Sequence, residues 1–155
     1  MAVALLALVA TFWQAHISRK HNRLSVQPFV EHYQERIPGK HISVSIRNNG
    51  IGPALLEKVY FTISPNAQRL DIDELLDIIV LTMKPTKGEW ETGTFSGKTT
   101  FPPGKMVTLI KLELTLEDDE NFRIINKILD DTNIHIVYRC LYNHLYNYSE
   151  ALRLA

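Results

Sequence analysis

The stretch HISVSIRN, His41 to Asn48, places Ile42, Val44 and Ile46 on one side and His41, Ser43, Ser45 and Arg47 on the other. A side-chain period of two belongs to extended chain, so this is a strand with one face in a core and one in water. The pattern recurs. LLEKVYFTIS, Leu55 to Ser64, sets Val59, Phe61 and Ile63 against Lys58, Tyr60 and Thr62, and Pro65 with Asn66 stops it. MVTLIKLELTLE, from Met106, sets Ile110, Leu112, Leu114 and Leu116 against Lys111, Glu113 and Thr115. IHIVYRCLY, Ile134 to Tyr142, and YNYSEALRL, Tyr146 to Leu154, supply the last strands. Upstream, LSVQPFVEHY contains Pro28, which removes a ladder donor and assigns that segment to an edge or a bend, and IPGK, Ile37 to Lys40, makes a turn. GEWETGTFSGKTTFPPGK reads as a long hairpin or loop with one short strand near Glu91 to Phe95.

Two segments have the longer period of a helix. Ile72, Leu75, Leu76, Ile79 and Val80 share one face between Asp71 and Met83, with Asp71 and Glu74 spaced as a capping pair. In DDENFRIINKILDD, acids lead and Phe122, Ile125, Ile128 and Leu129 follow at helical spacing. Strands in sequence with helices in only two connections point to a mainly β protein. The expected fold is an antiparallel β-sandwich, immunoglobulin-like, with two short helical insertions. A chain of 155 residues has room for one such core.

The N-terminus differs in kind. AVALLALVATFWQAHI, Ala2 to Ile17, lacks carboxylates, lysine and arginine, and as a helix it would be about 24 Å long, short of a hydrocarbon core of about 30 Å. A short anchor and a truncated N-terminus both fit that length. Trp13 followed by Arg19, Lys20 and Arg23 is the aromatic-then-basic order of a helix leaving a bilayer on its cytoplasmic side. Residues 2–18 are therefore expected to be a transmembrane anchor, 19–23 a basic juxtamembrane segment and 24–155 the sandwich. The expected location is the cytoplasmic (inner) membrane, single-pass, with the domain facing the cytoplasm. The 17 basic and 17 acidic residues balance, so once those three cations are set aside the body is net negative. Nucleic acid is not an expected partner. Cys140, the single cysteine, excludes an intrachain disulfide.

NNGIGPALLE, Asn48 to Glu57, raises the question of a phosphate loop. It lacks the GxxxxGK spacing and a third glycine, and Pro53 removes a donor that a phosphate cradle would use. A turn is the expected role of Asn48, Gly50, Gly52, Pro53 and Ala54, with Asn and Gly supplying positive φ and Ala54 room for a crowded return. RKHNRLSVQP, Arg19 to Pro28, together with NNGIGPA resembles a group of small bacterial membrane-anchored proteins with an HNRLSVRP-like membrane-exit motif and an NxGxGPA turn. Gln27 stands where that motif has arginine. The resemblance implies a strand connection at the turn and implies no reaction.

Catalytic spacing is not found. The nearest approach to a ligand cluster is His135, Cys140 and His144, without CxxC or HExxH, and no GxSxG elbow occurs. The acids Asp71, Asp73, Glu74 and Asp77, and Glu117 to Glu120, are expected to cap helices and face water. No metal, cofactor or enzyme activity is expected. Tyr138, Tyr142, Tyr146 and Tyr148 offer apolar area with polar tips, as at an interface. The expected function is therefore a protein-interaction module, an adaptor or accessory subunit, tied to the membrane by its N-terminal helix. The alternatives are a small-ligand or metal-dependent enzyme around His135, Cys140 and His144, and a periplasmic envelope module.

Overall fold

The computed structural model describes residues 2–64, 68–84, 89–93, 98–115 and 118–153. In chain order these form α1 (Ala2–Leu24), β1 (Val30–Ile37), β2 (His41–Asn48), β3 (Ala54–Ile63), β4 (Arg69–Leu70) and α2 (Ile72–Thr82). Then follow β5 (Trp90–Thr92), β6 (Thr99–Phe101), β7 (Met106–Glu113), α3 (Asp119–Asp130), β8 (Thr132–Cys140) and β9 (Leu145–Ala151).

The strands make two antiparallel sheets, one ordered β1-β2-β7-β5 and the other β4-β3-β8-β9. β6 and β4 share the outer edge of β3, at Ala54–Leu56 and Phe61–Thr62 respectively. The orders correspond to the ABED and CFG sheets of a constant-type immunoglobulin domain, with β4 added beyond the C position. Ile42, Val44 and Ile46 of the first sheet and Phe61, Ile134 and Ile136 of the second are fully buried in one core. Each such side chain stabilises the fold by about 1.5–3 kcal/mol relative to exposure.

A register shift between Leu56 and Lys58 explains an inconsistency in the β3 pattern. Leu56 is buried one position out of phase with the inward Val59 and Phe61 set, because Glu57 is an extra residue in the strand. The capping pair of α2 forms as its spacing indicates: Glu74 N–H donates to Asp71 at 2.8 Å and Asp71 N–H to Glu74 at 2.8 Å. Asn121 joins α2 to α3 by accepting from Lys84 N–H and donating to Lys84 O. Ser64 N–H donates to Asp131 O, which sets α3 at the β3 terminus opposite the 49–53 turn.

One expectation is corrected. Among the described residues no helix is long and apolar enough to cross a membrane. α1 has the length, about 35 Å, but its apolar run stops at Trp13, after which Gln14, His16, Ser18, Arg19, Lys20, His21 and Asn22 follow on the same helix. The expected transmembrane helix is not supported, and with it falls the assignment to the inner membrane as a single-pass protein. α1 continues through the basic residues 19–23 to Leu24. Pro28 lies just ahead of β1, and β1 is an edge strand of the first sheet, in keeping with the edge expected for that segment. β4 and β6, of two and three residues, were not expected. The expected stop at Pro65 and Asn66, the short strand's end at Phe95, the strand tail at Leu116 and Glu117, and Leu154 lie outside the described residues.

Candidate functional site

Asn48, fully buried, is the hub of the first structure to consider. Its Oδ1 accepts from Phe29 N–H at 3.1 Å and Gly50 N–H at 3.0 Å, and its Nδ2 donates to Gly52 O and Phe101 O, both at 2.9 Å. All four side-chain positions of an amide are thereby used. The loop then pairs with the chain leaving α1: Asn49 N–H donates to Phe29 O, and the N–H groups of Ile51 and Gly52 both donate to Gln27 O. HNRLSVQP and NNGIGPA, far apart in sequence, thus form one latch.

The accounting answers the phosphate question. The N–H groups of Asn49, Gly50, Ile51 and Gly52 are each committed inside the protein, and Pro53 has none, so the loop has no donors to aim at an anion. The reason for the glycines also differs from the expected one. Positive φ occurs among the described residues at Gly39, Gly104 and Asn143, not at Gly50 or Gly52. What they supply is space, since a Cβ on Gly50 would meet Phe29 N at 2.3 Å and one on Gly52 would meet Val26 O at 1.7 Å. Ala54 is hemmed between Phe101 on β6 and Cys140 on β8, and is buried.

Three of the four tyrosines turn toward the space between the sheets. Tyr138 is buried, stacks on Tyr146 at 5.2 Å, and accepts from Val30 N–H at 3.4 Å. Tyr148 lies 2.7 Å from His32 Nδ1 and donates to Glu150, so His32 is the donor at Nδ1. Burial, then the Glu150 hydrogen bond, push the Tyr148 phenol well above its ordinary range. Tyr142, in the β8–β9 turn, is the exposed one, beside exposed Leu141 and Leu145.

These contacts belong to a seam between β1 and β9. Val30, His32, Gln34 and Arg36, the inward positions of β1, each reach across it: Gln34 donates to Arg153 O, and Arg36 donates to Leu152 O and pairs with Asp130 of α3 at 2.7 Å. Sequence reading missed this seam because polar residues at every second position resemble a solvated face. The available signal was their phase, shared with Val30.

The seam carries a pH dependence. Desolvation lowers the pKa of His32 despite the opposing pull of Glu150 and Glu31. The unfolded histidine therefore takes up a proton at higher pH than the folded one, so its contribution is intact above about pH 6.5 and is lost as pH falls through the folded value. His135 shifts the same way, through burial and then Arg69. Urea midpoints measured downward from pH 7.5 should fall below about pH 6.5, and His32→Gln should flatten that fall.

His135, Cys140 and His144 are not gathered into one site. His135 lies on the outer face of the second sheet, stacked on Tyr60 at 4.6 Å and bonded to Thr62 Oγ1 at 2.9 Å. Cys140, a partly exposed free thiol, is in register with inward Ala54, while His144 packs edge-on against Tyr146.

The largest unpartnered feature is α1. Residues 3–22 are exposed throughout, and Val3, Leu5, Leu6, Leu8, Val9, Phe12, Trp13 and Ile17 have relative exposures from 41% to 80%. Arg19 and Lys20 are exposed on the same helix; the Arg23 side chain lies outside the described residues. A family model described as a domain of unknown function (DUF8453) matches residues 1–154. No curated protein matches the chain.

Proposed function

The chain belongs to the DUF8453 family over nearly its whole length, a membership that brings no activity with it, and we propose on physical grounds that it is a protein-interaction module docking through α1. One observation carries this reading: a 23-residue helix whose large apolar side chains from Val3 to Ile17 are exposed to solvent. Helices in proteins draw most of their stability from packing an apolar face, and contiguous apolar surface of this extent marks an interaction site. The β-sandwich is the rigid body from which α1 projects, and the Asn48 latch fixes the base of the helix to it. The tyrosine cluster contributes through the exposed tip at Leu141, Tyr142 and Leu145; Tyr138, Tyr146 and Tyr148 serve the seam.

The test is residue-mapped crosslinking of the full chain in its native source, compared with a Phe12→Asp, Trp13→Asp variant. Both positions are exposed, so the body should fold unchanged. Reproducible crosslinks from Lys20 to one site on another polypeptide, lost in the variant, are the expected result. Identical crosslinks in both chains would remove α1 as the docking element.

A further inference from the structure

The body carries a groove suited to such a helix. It lies between α2 and the edge strand β5, has a volume of about 240 Å³, and is lined by Asp73, Leu76, Asp77, Val80, Trp90 and Thr92. Trp90 is 51% exposed, and Leu81, one residue beyond Val80, is 86% exposed. Asp73 and Asp77, which form its acidic rim, have no ion-pair partner among the described residues. An apolar floor with an acidic rim is the chemical complement of α1, which offers Phe12, Trp13 and Ile17 ahead of Arg19 and Lys20 and contains no acidic residue.

Position adds to chemistry. α1 leaves the body at the latch, where Phe29 O accepts from Asn49 N–H. α2 is fastened by Lys84 and Asn121 to α3, and Asp131 O at the C-terminus of α3 accepts from Ser64 N–H at the opposite terminus of β3. Helix and groove therefore belong to opposite ends of one body, an arrangement that suits two copies in head-to-tail order. The exposed side chains of α1 amount to several hundred Å² of apolar surface, on the order of the about 800 Å² that each partner of a standard interface buries.

We propose that the α2–β5 groove receives α1 of a second copy of this chain. This rests on α1 being the docking element and names its partner. An aromatic side chain, Phe12 or Trp13, enters the groove, while Arg19 and Lys20 lie along the acidic rim. The contact is heterologous, so a pair of copies keeps one free helix and one free groove, and association continues into a ring or an open chain.

The experiment uses the full chain and two single variants, Trp13→Asp on the helix and Leu81→Lys beside the groove, both at exposed positions. Sedimentation is measured over a range of concentrations for each and for an equimolar mixture. The native chain should associate, and each variant alone should do so about tenfold more weakly or worse. The mixture should form a dimer and stop there, since it contains one intact helix and one intact groove per pair. Association of Leu81→Lys at native strength, with loss only in Trp13→Asp, would overturn the groove while leaving α1 as the docking element. A mixture that stays monomeric, a native chain that stays monomeric at every concentration, or a monomer that expands in both variants because α1 folds back on its own body, would each overturn the proposal.

Discussion

Gly52→Ala should lower the stability of the body by about 3 kcal/mol or more, a larger loss than most single substitutions produce. The added Cβ would stand 1.7 Å from Val26 O and 2.4 Å from Val26 C, and both are backbone atoms. A side chain can rotate away from an intruding methyl, whereas here the segment leaving α1 must itself move. Its motion would break the hydrogen bonds from Ile51 and Gly52 N–H to Gln27 O. Gly104→Ala is the informative control. At φ +73° with nothing within 4 Å of a Cβ, Gly104 is required by conformation alone, and alanine there should cost about 1–2 kcal/mol. Urea midpoints of the two variants, read at unchanged m-value, separate a steric requirement from a conformational one.

Asn48→Leu should be comparably damaging, at about 3 kcal/mol or more, although leucine is close to asparagine in size and is itself favourable when buried. Four groups lose their partner together: Phe29 N–H, Gly50 N–H, Gly52 O and Phe101 O. The two carbonyls are bonded at buried contacts, where water cannot replace the lost donors. Asn48→Asp makes a sharper test. It keeps both acceptor contacts but turns a carboxylate toward two carbonyl oxygens, which raises its folded pKa above the unfolded value of about 3.9. A raised folded pKa stabilises at low pH and is lost as pH rises, so this variant should regain stability on acidification toward pH 4, where Asn48→Leu should not.

The features legible from sequence were those whose cause is local. HISVSIRN shows its face because Ile42, Val44 and Ile46 are all aliphatic and all inward, and the α2 cap shows itself because Asp71 and Glu74 need only their own spacing. What escaped notice depends on neighbours distant in the chain. β4 and β6 exist through pairing with β3, not through a pattern of their own, and two or three residues are too few to show a period. Arg36 looks like a surface residue in VEHYQERI until Asp130 and Leu152 arrive from more than ninety positions away. Gly50 and Gly52 were legible as required glycines, but the requirement is set by Val26, Gln27 and Phe29, whose approach no turn rule encodes. In α1 the apolar run was plain, while its reading as a membrane span gave too little weight to the polar half that continues the same helix. The acidic groove was invisible because Trp90 and Asp77 meet only in the folded body.

The Asn48 latch also bears on function. A helix that projects from a domain transmits position only if its base is fixed, and the pairing of Gln27 and Phe29 with the 49–52 loop fixes it two residues beyond the Ser25 N–H to His21 O bond that ends the helix. Loss of the latch should therefore loosen α1 together with the body.

Amide hydrogen exchange over residues 2–24, in the full chain isolated with its associations intact, is the most direct measurement of whether α1 docks. An unpacked helix of this length opens readily and exchanges fast, whereas a helix seated on a partner is protected. Docking predicts slow exchange across Leu5 to Ile17 in the native chain and fast exchange there in Phe12→Asp, Trp13→Asp, with the body unchanged in both. Fast exchange over the same residues in the native chain, at the rate of the variant, would contradict it.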